Sequence, residues 1–258
     1  METIIVKIPI LGTPLDITNY QDSSTKIIGW AKECQSRYIC IANVHVLMEA
    51  YDSGTYQKAI NHADLVTPDG MPLVWIMRWK GIKSQPRVYG PLLMLEVLER
   101  AEKEQIPVGF YGSDESTLKK LVSNMRGLFP SLLVNYTLSP PFRKLDNRED
   151  SEIIKAINNS NTRILFVGLG CPKQELWMAE HKEKISAVML GVGAAFDFHA
   201  GNKPQAPSWI QTIGMEWFFR LLHEPRRLAK RYLYHNPRFI MLALLDLLGI
   251  LNLDKEEA

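Results

Sequence analysis

Apolar residues fall in runs of strand length at 4–10, 38–42, 107–111, 132–138, 163–167 and 187–191, and between these runs they recur at helical spacing. The spacing predicts helices over 18–33, 91–105, 115–128, 149–159 and 173–181. Strands alternating with helices imply crossover units, hence an α/β fold with a mostly parallel, Rossmann-like sheet covered on both faces. Ligands of such sheets bind beyond the carboxyl ends of the strands. The positions to inspect are therefore Asn43, His45, Gly112, Ser113 and the segments 68–70, 168–175 and 193–199. Residues 139–148, with a double proline and mixed charges, read as a loop, and no internal repeat is found.

The pattern changes near residue 204. Two prolines, Pro204 and Pro207, precede a Trp- and Phe-rich helical stretch at 208–222, a basic stretch at 226–231, Pro237, and an apolar run at 239–253. The division expected is a catalytic α/β domain over 1–204 and a helical appendage over 205–258.

Composition narrows the class. The chain has 258 residues, 46% hydrophobic and 22% charged, with 16 Gly and 15 Pro, which excludes disordered, collagenous and low-complexity proteins. A net charge of +2 from 30 basic and 28 acidic residues is too balanced for a wholly nucleic-acid-binding surface, so any basic patch is local. Three cysteines without a CxxC pair fit a reducing compartment. Met1 and Glu2 lead into a strand-like run without the features of a signal peptide, so a cytoplasmic location is expected.

Two glycine-rich turns follow strands. In Gly168-Leu169-Gly170-Cys171-Pro172-Lys173-Gln174-Glu175, glycines let a ligand approach the backbone, and a helix N-terminus offers N–H groups to a phosphate. Lys173 stands where the dinucleotide fingerprint needs a small residue, and Phe196 does the same in the turn that starts at Gly191, so NAD is not expected. The structural alternative is a tight turn with Pro172 in the first helical turn and Glu175 near the helix dipole. Asp69, in Thr67-Pro68-Asp69-Gly70, suits a general base at a strand end, or equally a plain turn. Asp197 suits a sugar hydroxyl or a cap, and His199 reads as a structural histidine. H-E-x-x-H and paired Cys/His spacing are missing, so neither zinc nor another cofactor is expected. G-x-S-x-G and D-x-D are missing too, so a bound nucleotide sugar would rely on cationic side chains such as Arg87 and on N–H groups.

In the tail, Arg220, Arg227 and Arg231 recur at helical multiples beside Arg226 and Lys230, with Trp217, Phe218 and Leu228 interleaved. The run 239–253 would make a helix about 22 Å long at ~1.5 Å per residue, short of the ~20 apolar residues that a span requires. A basic helix with aromatic neighbours lying on an anionic membrane surface fits better. An oligomer interface or a core helix is the alternative. Nucleic acid is disfavoured because a greasy run follows the bases.

Five blocks, TPDGMPLVW (67–75), RVYGP (87–91), GLGCPKQELWM (168–178), GVGAAFDFHAG (191–201) and APSWIQTIGMEWFFRLLHEPRRLAKRYL (206–233), together resemble the WecG/TagA/CpsF glycosyltransferases over nearly the whole chain. The resemblance implies metal-independent, inverting transfer of an N-acetylmannosamine-type or related hexose from a UDP-sugar to a polyprenyl-pyrophosphate-linked sugar, in bacterial wall or exopolysaccharide synthesis. It makes Asp69 the catalytic base and places Asn43 near the sugar or acceptor. Arg87 would face the departing UDP. Gln174 and Glu175, with Lys173 in the same block, would sit at the nucleotide, which Gly168 and Gly170 let approach, and Asp197 matches a further active-site carboxylate. Arg220, Arg227 and Lys230 match basic positions that help hold such enzymes at the inner face of the membrane and close the site. Symmetric homo-oligomers, trimers included, are expected. The chain departs from the pattern at Ile41, where many members have Thr, at Leu92 for Asp and at Gln205 for Arg. The rival readings are a catalytically weak or differently specific relative, and a non-enzymatic membrane-surface protein on the same scaffold.

Overall fold

The structure, a computed structural model, describes residues 7–251. In chain order its elements are β1 (Lys7–Ile10), β2 (Thr13–Asp16), α1 (Tyr20–Lys32), β3 (Arg37–Ala42), α2 (Val44–Asp52), α3 (Gly54–Asn61), β4 (Leu65–Pro68), α4 (Met71–Trp79), α5 (Gly90–Lys103) and β5 (Val108–Gly112). They continue as α6 (Glu115–Leu128), β6 (Val134–Leu138), α7 (Asn147–Asn159), β7 (Ile164–Gly168), α8 (Lys173–His181), β8 (Val188–Gly191), α9 (Ala195–His199), α10 (Ser208–Thr212), α11 (Glu216–His223) and α12 (Pro225–Leu247).

Six parallel strands form one sheet in the order β4-β3-β8-β7-β5-β6, and β1 and β2 form a separate antiparallel hairpin. The expected α/β class holds. Continuous apolar runs are explained by burial on both faces. Tyr38, Cys40 and Ala42 of β3 join Leu165 and Val167 in a core beneath α2, α3, α4 and α8. Ile39 and Ile41 point the other way, with Ile164 and Phe166, into a core beneath α1, α5 and α6. The edge strand β6 alternates half-buried and exposed residues instead.

Several elements depart from the spacing. The expected strand over 4–10 is seen from Lys7; its first three residues lie outside the described ones. The β2 segment, with a proline and an acidic end, has no strand pattern of its own. It is hooked to the sheet by Asp16, whose buried carboxylate accepts the Val66 N–H at 2.6 Å. Helices α2 and α3 went unpredicted between β3 and β4 because the short α2 is apolar beyond a single stripe. The loop expected over 139–148 yields to α7 at Asn147, where Asp146 and Glu149 close a capping box.

The helix expected over 208–222 is two helices. Gly214 breaks it at φ +76°, and a Cβ there would meet the Trp75 ring and Met71 at 3.0–3.1 Å. Conversely, Pro237 does not separate the basic stretch from the apolar run, because α12 passes through it. Packing on both sides, and ion pairs beyond the proline, offset the lost backbone bond. Leu228 is buried before the proline and Phe239, Leu242 and Ala243 after it. Arg238 grips Asp52 at 2.6 and 2.9 Å, and Lys80 meets Asp246 at 2.8 Å. The segment beyond 204 thus adds side chains to the same core as α2 and α4. Residues 252 and 253, the end of the apolar run, lie outside the described ones. Among the described residues no helix is long and apolar enough to cross a membrane.

Candidate active site

The ends of β3 and β4 face α11 and α12 across a cavity of about 550 Å³. Asn43 leaves β3 and caps α2, its Oδ1 accepting from the N–H groups of His45 and Val46 at 3.0 and 3.2 Å. Its side chain therefore serves the helix while it lines the cavity. Asp69 leaves β4, and its own N–H is fixed by the Ala42 carbonyl at 2.7 Å, which ties the two strand ends together.

Asp69 and Arg87 meet side by side. Arg87 Nε and Nη2 donate to Asp69 Oδ1 at 3.0 and 2.8 Å, and Nε also donates to the Asp69 carbonyl at 2.9 Å. The guanidinium lies 4.2 Å from the centre of the Tyr89 ring. Its Nη2 meets a second carboxylate, Glu216 Oε2 on α11, at 2.8 Å. Burial raises the Asp69 pKa to about 6; Arg87 opposes the rise and Glu216 adds to it. Burial also works against the charge on Arg87, but Asp69 and Glu216 outweigh it and hold the guanidinium protonated.

Two further cations line the cavity. Arg220, expected at the membrane face, is half-buried here with its guanidinium over the Phe198 ring. Arg231 is half-buried, its Nε lacks a hydrogen-bond partner, and burial pushes its pKa down. A cation so placed favours an anionic guest. Apart from these groups and His45, His235 and Asn236 the wall is apolar, with Trp75, Trp79 and Trp217 from α4 and α11 and Ile240, Leu244 and Leu247 along α12.

The other expected site residues stand off this cavity. A Cβ on Gly168 would fall 2.5 Å from the Phe196 ring, so that glycine serves packing. Gly170 has φ +80° with open space around its Cα, and its N–H donates to Gln174 Oε1 at 3.1 Å. Gln174 is turned inward and donates to Glu175 Oε1 at 2.7 Å. Glu175 is fully buried, which raises its pKa. Lys173 is exposed at the start of α8. Asp197 pairs with Lys203 at 2.8 Å, and Lys203 reaches on to Glu224 at 3.3 Å. Arg227 also pairs with Glu224, and Lys230 is exposed. His199 is half-buried and its Nε2 is held by the Pro91 carbonyl at 2.9 Å, as a structural histidine would be. Ile41 is buried in the core beneath α5, so the departure there adds packing.

Sequence reasoning missed Glu216 altogether. It sits inside the APSWIQTIGMEWFFRLL block, but its charge gave no sign of pairing with a residue 129 positions earlier. Among the described residues one grouping has the composition of a metal site, His45, Glu49 and His235.

Residues 8–252 match the model of the glycosyl transferase WecG/TagA/CpsF family. Two curated relatives are each described as an N-acetylglucosaminyldiphosphoundecaprenol N-acetyl-beta-D-mannosaminyltransferase. The protein of Bacillus spizizenii (strain ATCC 23059 / NRRL B-14472 / W23) is 31% identical over 192 residues, 74% of this chain and 72% of the relative. That of Bacillus subtilis (strain 168) is 27% identical over 190 residues, 73% and 72% of the respective chains.

Proposed function

The chain belongs to this glycosyltransferase family, and on that premise we propose that it transfers an N-acetylmannosamine-type hexose from a UDP-sugar to a polyprenyl-diphosphate-linked sugar, inverting the anomeric carbon. The carrying observation is Asp69 itself, a mostly buried carboxylate at a strand end, lining the cavity, with a pKa raised to about 6. The relatives' names supply the acceptor class and a β-linked product, and from an α-linked donor that product requires inversion.

In this reading the acceptor hydroxyl oxygen attacks C1 of the sugar as the bond from C1 to the diphosphate oxygen breaks, and the hydroxyl proton passes to Asp69. Both Arg87 hydrogen bonds fall on Oδ1, which leaves Oδ2 as the proton acceptor. Negative charge builds on the departing UDP, and Arg87, Arg220 and Arg231 are the cations that line the cavity to receive it. Asn43, which lines the same cavity, would stand near the sugar or the acceptor. The PKQE turn, with Gly170, Lys173, Gln174 and Glu175, and the Asp197 carboxylate would serve the nucleotide at the C-terminal edge of the same sheet, while Gly168 packs against Phe196 beneath them. This reading routes no step through a metal ion.

The exposed face of α12 supports peripheral attachment to the inner face of the cell membrane. Arg226, Lys230, Leu233, Ile240, Leu244 and Leu248 follow one another at steps that keep them on one side, and all are exposed. The stripe begins basic and becomes apolar, as anionic headgroups above acyl chains require. Ile240 and Leu244 also line the cavity, so the lipid of the acceptor could stay in the membrane while its sugar reaches Asp69. Release of UDP from UDP-N-acetylmannosamine with a polyprenyl-diphosphate N-acetylglucosamine acceptor tests the reading. It fails if no product forms, or if Asp69→Asn transfers sugar as well as the parent protein.

A further inference from the structure

His45 stands in the first turn of α2 and Glu49 one turn later, so both project from the same side of that helix. His235 approaches them from α12. His45 Nδ1 lies 3.7 Å from Glu49 Oε1, and His235 Nε2 lies 3.6 Å from the same oxygen. One ligand atom from each side chain lies within 4.8 Å of the other two. These separations are too long for hydrogen bonds. His45 Nδ1 is buried and has no hydrogen-bond partner. The two rings meet edge to face with centres 5.1 Å apart.

Three converging lone pairs at this spacing are what an ion would bridge. Ligands bound at ~2.0–2.2 Å in a tetrahedron stand ~3.3–3.6 Å apart, so the two separations to Glu49 Oε1 need shorten by only a few tenths of an ångström, while a rotation of the imidazoles would bring the third pair together from within 4.8 Å. We propose that His45 Nδ1, Glu49 Oε1 and His235 Nε2 bind one divalent cation of the zinc class, which pins α12 to α2 and keeps its fourth position toward the cavity. Two imidazoles and one carboxylate are a donor set that zinc takes when one position stays open, and nitrogen donors favour it over magnesium or calcium. His45 and His235 both line the cavity, which gives the ion an entry path.

The neighbouring charges set the affinity. The charge of Arg231 acts on both imidazoles and opposes a second cation there, while Glu49, close to both, contributes the compensating carboxylate. Asp52 is already neutralised by Arg238. The site draws its ligands from two helices far apart in sequence, so it exists only while α12 is docked. It lies beside the transfer centre, requires no role in the glycosyl step, and stands or falls independently of that reaction.

Full-length protein is stripped with EDTA and titrated with cobalt(II), a spectroscopic stand-in for zinc, and zinc uptake is measured by elemental analysis after gel filtration. The expected result is about one equivalent of metal, visible absorption bands typical of tetrahedral cobalt, and displacement by zinc. With zinc well above its dissociation constant the Tm rises on the order of 5 °C. The bands and the Tm rise are expected to vanish in Glu49→Gln and His235→Gln, whose metal-free Tm values keep them comparable with the metal-free parent. Uptake well below one equivalent overturns the proposal, as does uptake that persists in both variants. Should a variant fail to fold, His45→Gln replaces it under the same criteria.

Discussion

Glu216 of α11 reaches back across the cavity to place its Oε2 2.8 Å from Nη2 of Arg87, a residue from the connection between β4 and α5. The same nitrogen serves Asp69, so one guanidinium holds two carboxylates and closes the C-terminal helices over the end of β4. The arrangement links the electrostatics of Asp69, the proposed base, to the docking of the tail.

Replacing Asp69 by Asn removes the proton acceptor while keeping its size. Turnover is expected to fall by roughly a hundred- to ten-thousand-fold, with donor affinity changed little. Steady-state UDP release and donor binding by calorimetry separate the two quantities. A variant that keeps more than a tenth of parental turnover would remove Asp69 from the role of base.

The acid limb of kcat/KM is expected near pH 6, because Asp69 must lose its proton to act and burial holds that proton up to about that pH. Glu216 contributes to the elevation, so Glu216→Gln should move the limb to lower pH. The stability dependence runs the opposite way. Asp69 binds its proton more tightly folded than unfolded, so its stabilising contribution is complete below pH 3.8 and is lost as pH rises through about 6. A pH profile of the parent protein and of Glu216→Gln, with urea midpoints of the parent at pH 4 and pH 7.5, checks both signs.

Arg87→Ala leaves Asp69 and Glu216 facing each other without a cation, and both are mostly buried. Removing one partner of a buried pair costs about 3–5 kcal/mol, so a large drop in the urea midpoint should accompany lost turnover. Arg87→Lys retains the charge but loses the planar fork that reaches both carboxylates. It should recover stability more than activity.

Gly168 and Gly170 separate packing from nucleotide approach. An alanine at 168 would drive its Cβ to 2.5 Å from the Phe196 ring, which predicts a loss of ~1–3 kcal/mol. An alanine at 170 meets open space and carries only the strain of φ +80°, roughly 1 kcal/mol. Thermal melts measure both, and a larger cost at 170 than at 168 would contradict the assignment.

Attachment to membranes can be tested without truncation, which would uncover the core that Phe239, Leu242 and Ala243 close. Arg226→Gln with Lys230→Gln should weaken flotation with anionic vesicles by about 2 kcal/mol, or ~30-fold, and Leu233→Glu should weaken it further. All three positions are exposed, so Tm should change little. Unchanged flotation of the triple variant would show that this stripe is not the contact.

The α/β class, the helices over 115–128 and 173–181 and the carboxylate at 69 were legible because their signals are local. Doubly buried strands read as unbroken apolar runs, amphipathic helices carry their period openly, and a residue that follows a strand is marked by its position. Helix α12 was only half legible. Its sequence carries the stop signal Pro237, but whether a proline ends a helix depends on what packs on either side, and here Leu228 and Phe239 both find the core. The pairing of Arg87 with Glu216, and of His45 and Glu49 with His235, left no trace in any window of the chain. Such contacts join side chains well over a hundred residues apart, and only the closure of α11 and α12 against β4 and α2 brings them within a few ångströms. Periodicity records which face of an element is buried; which charge a buried side chain meets is decided by the elements that fold over it.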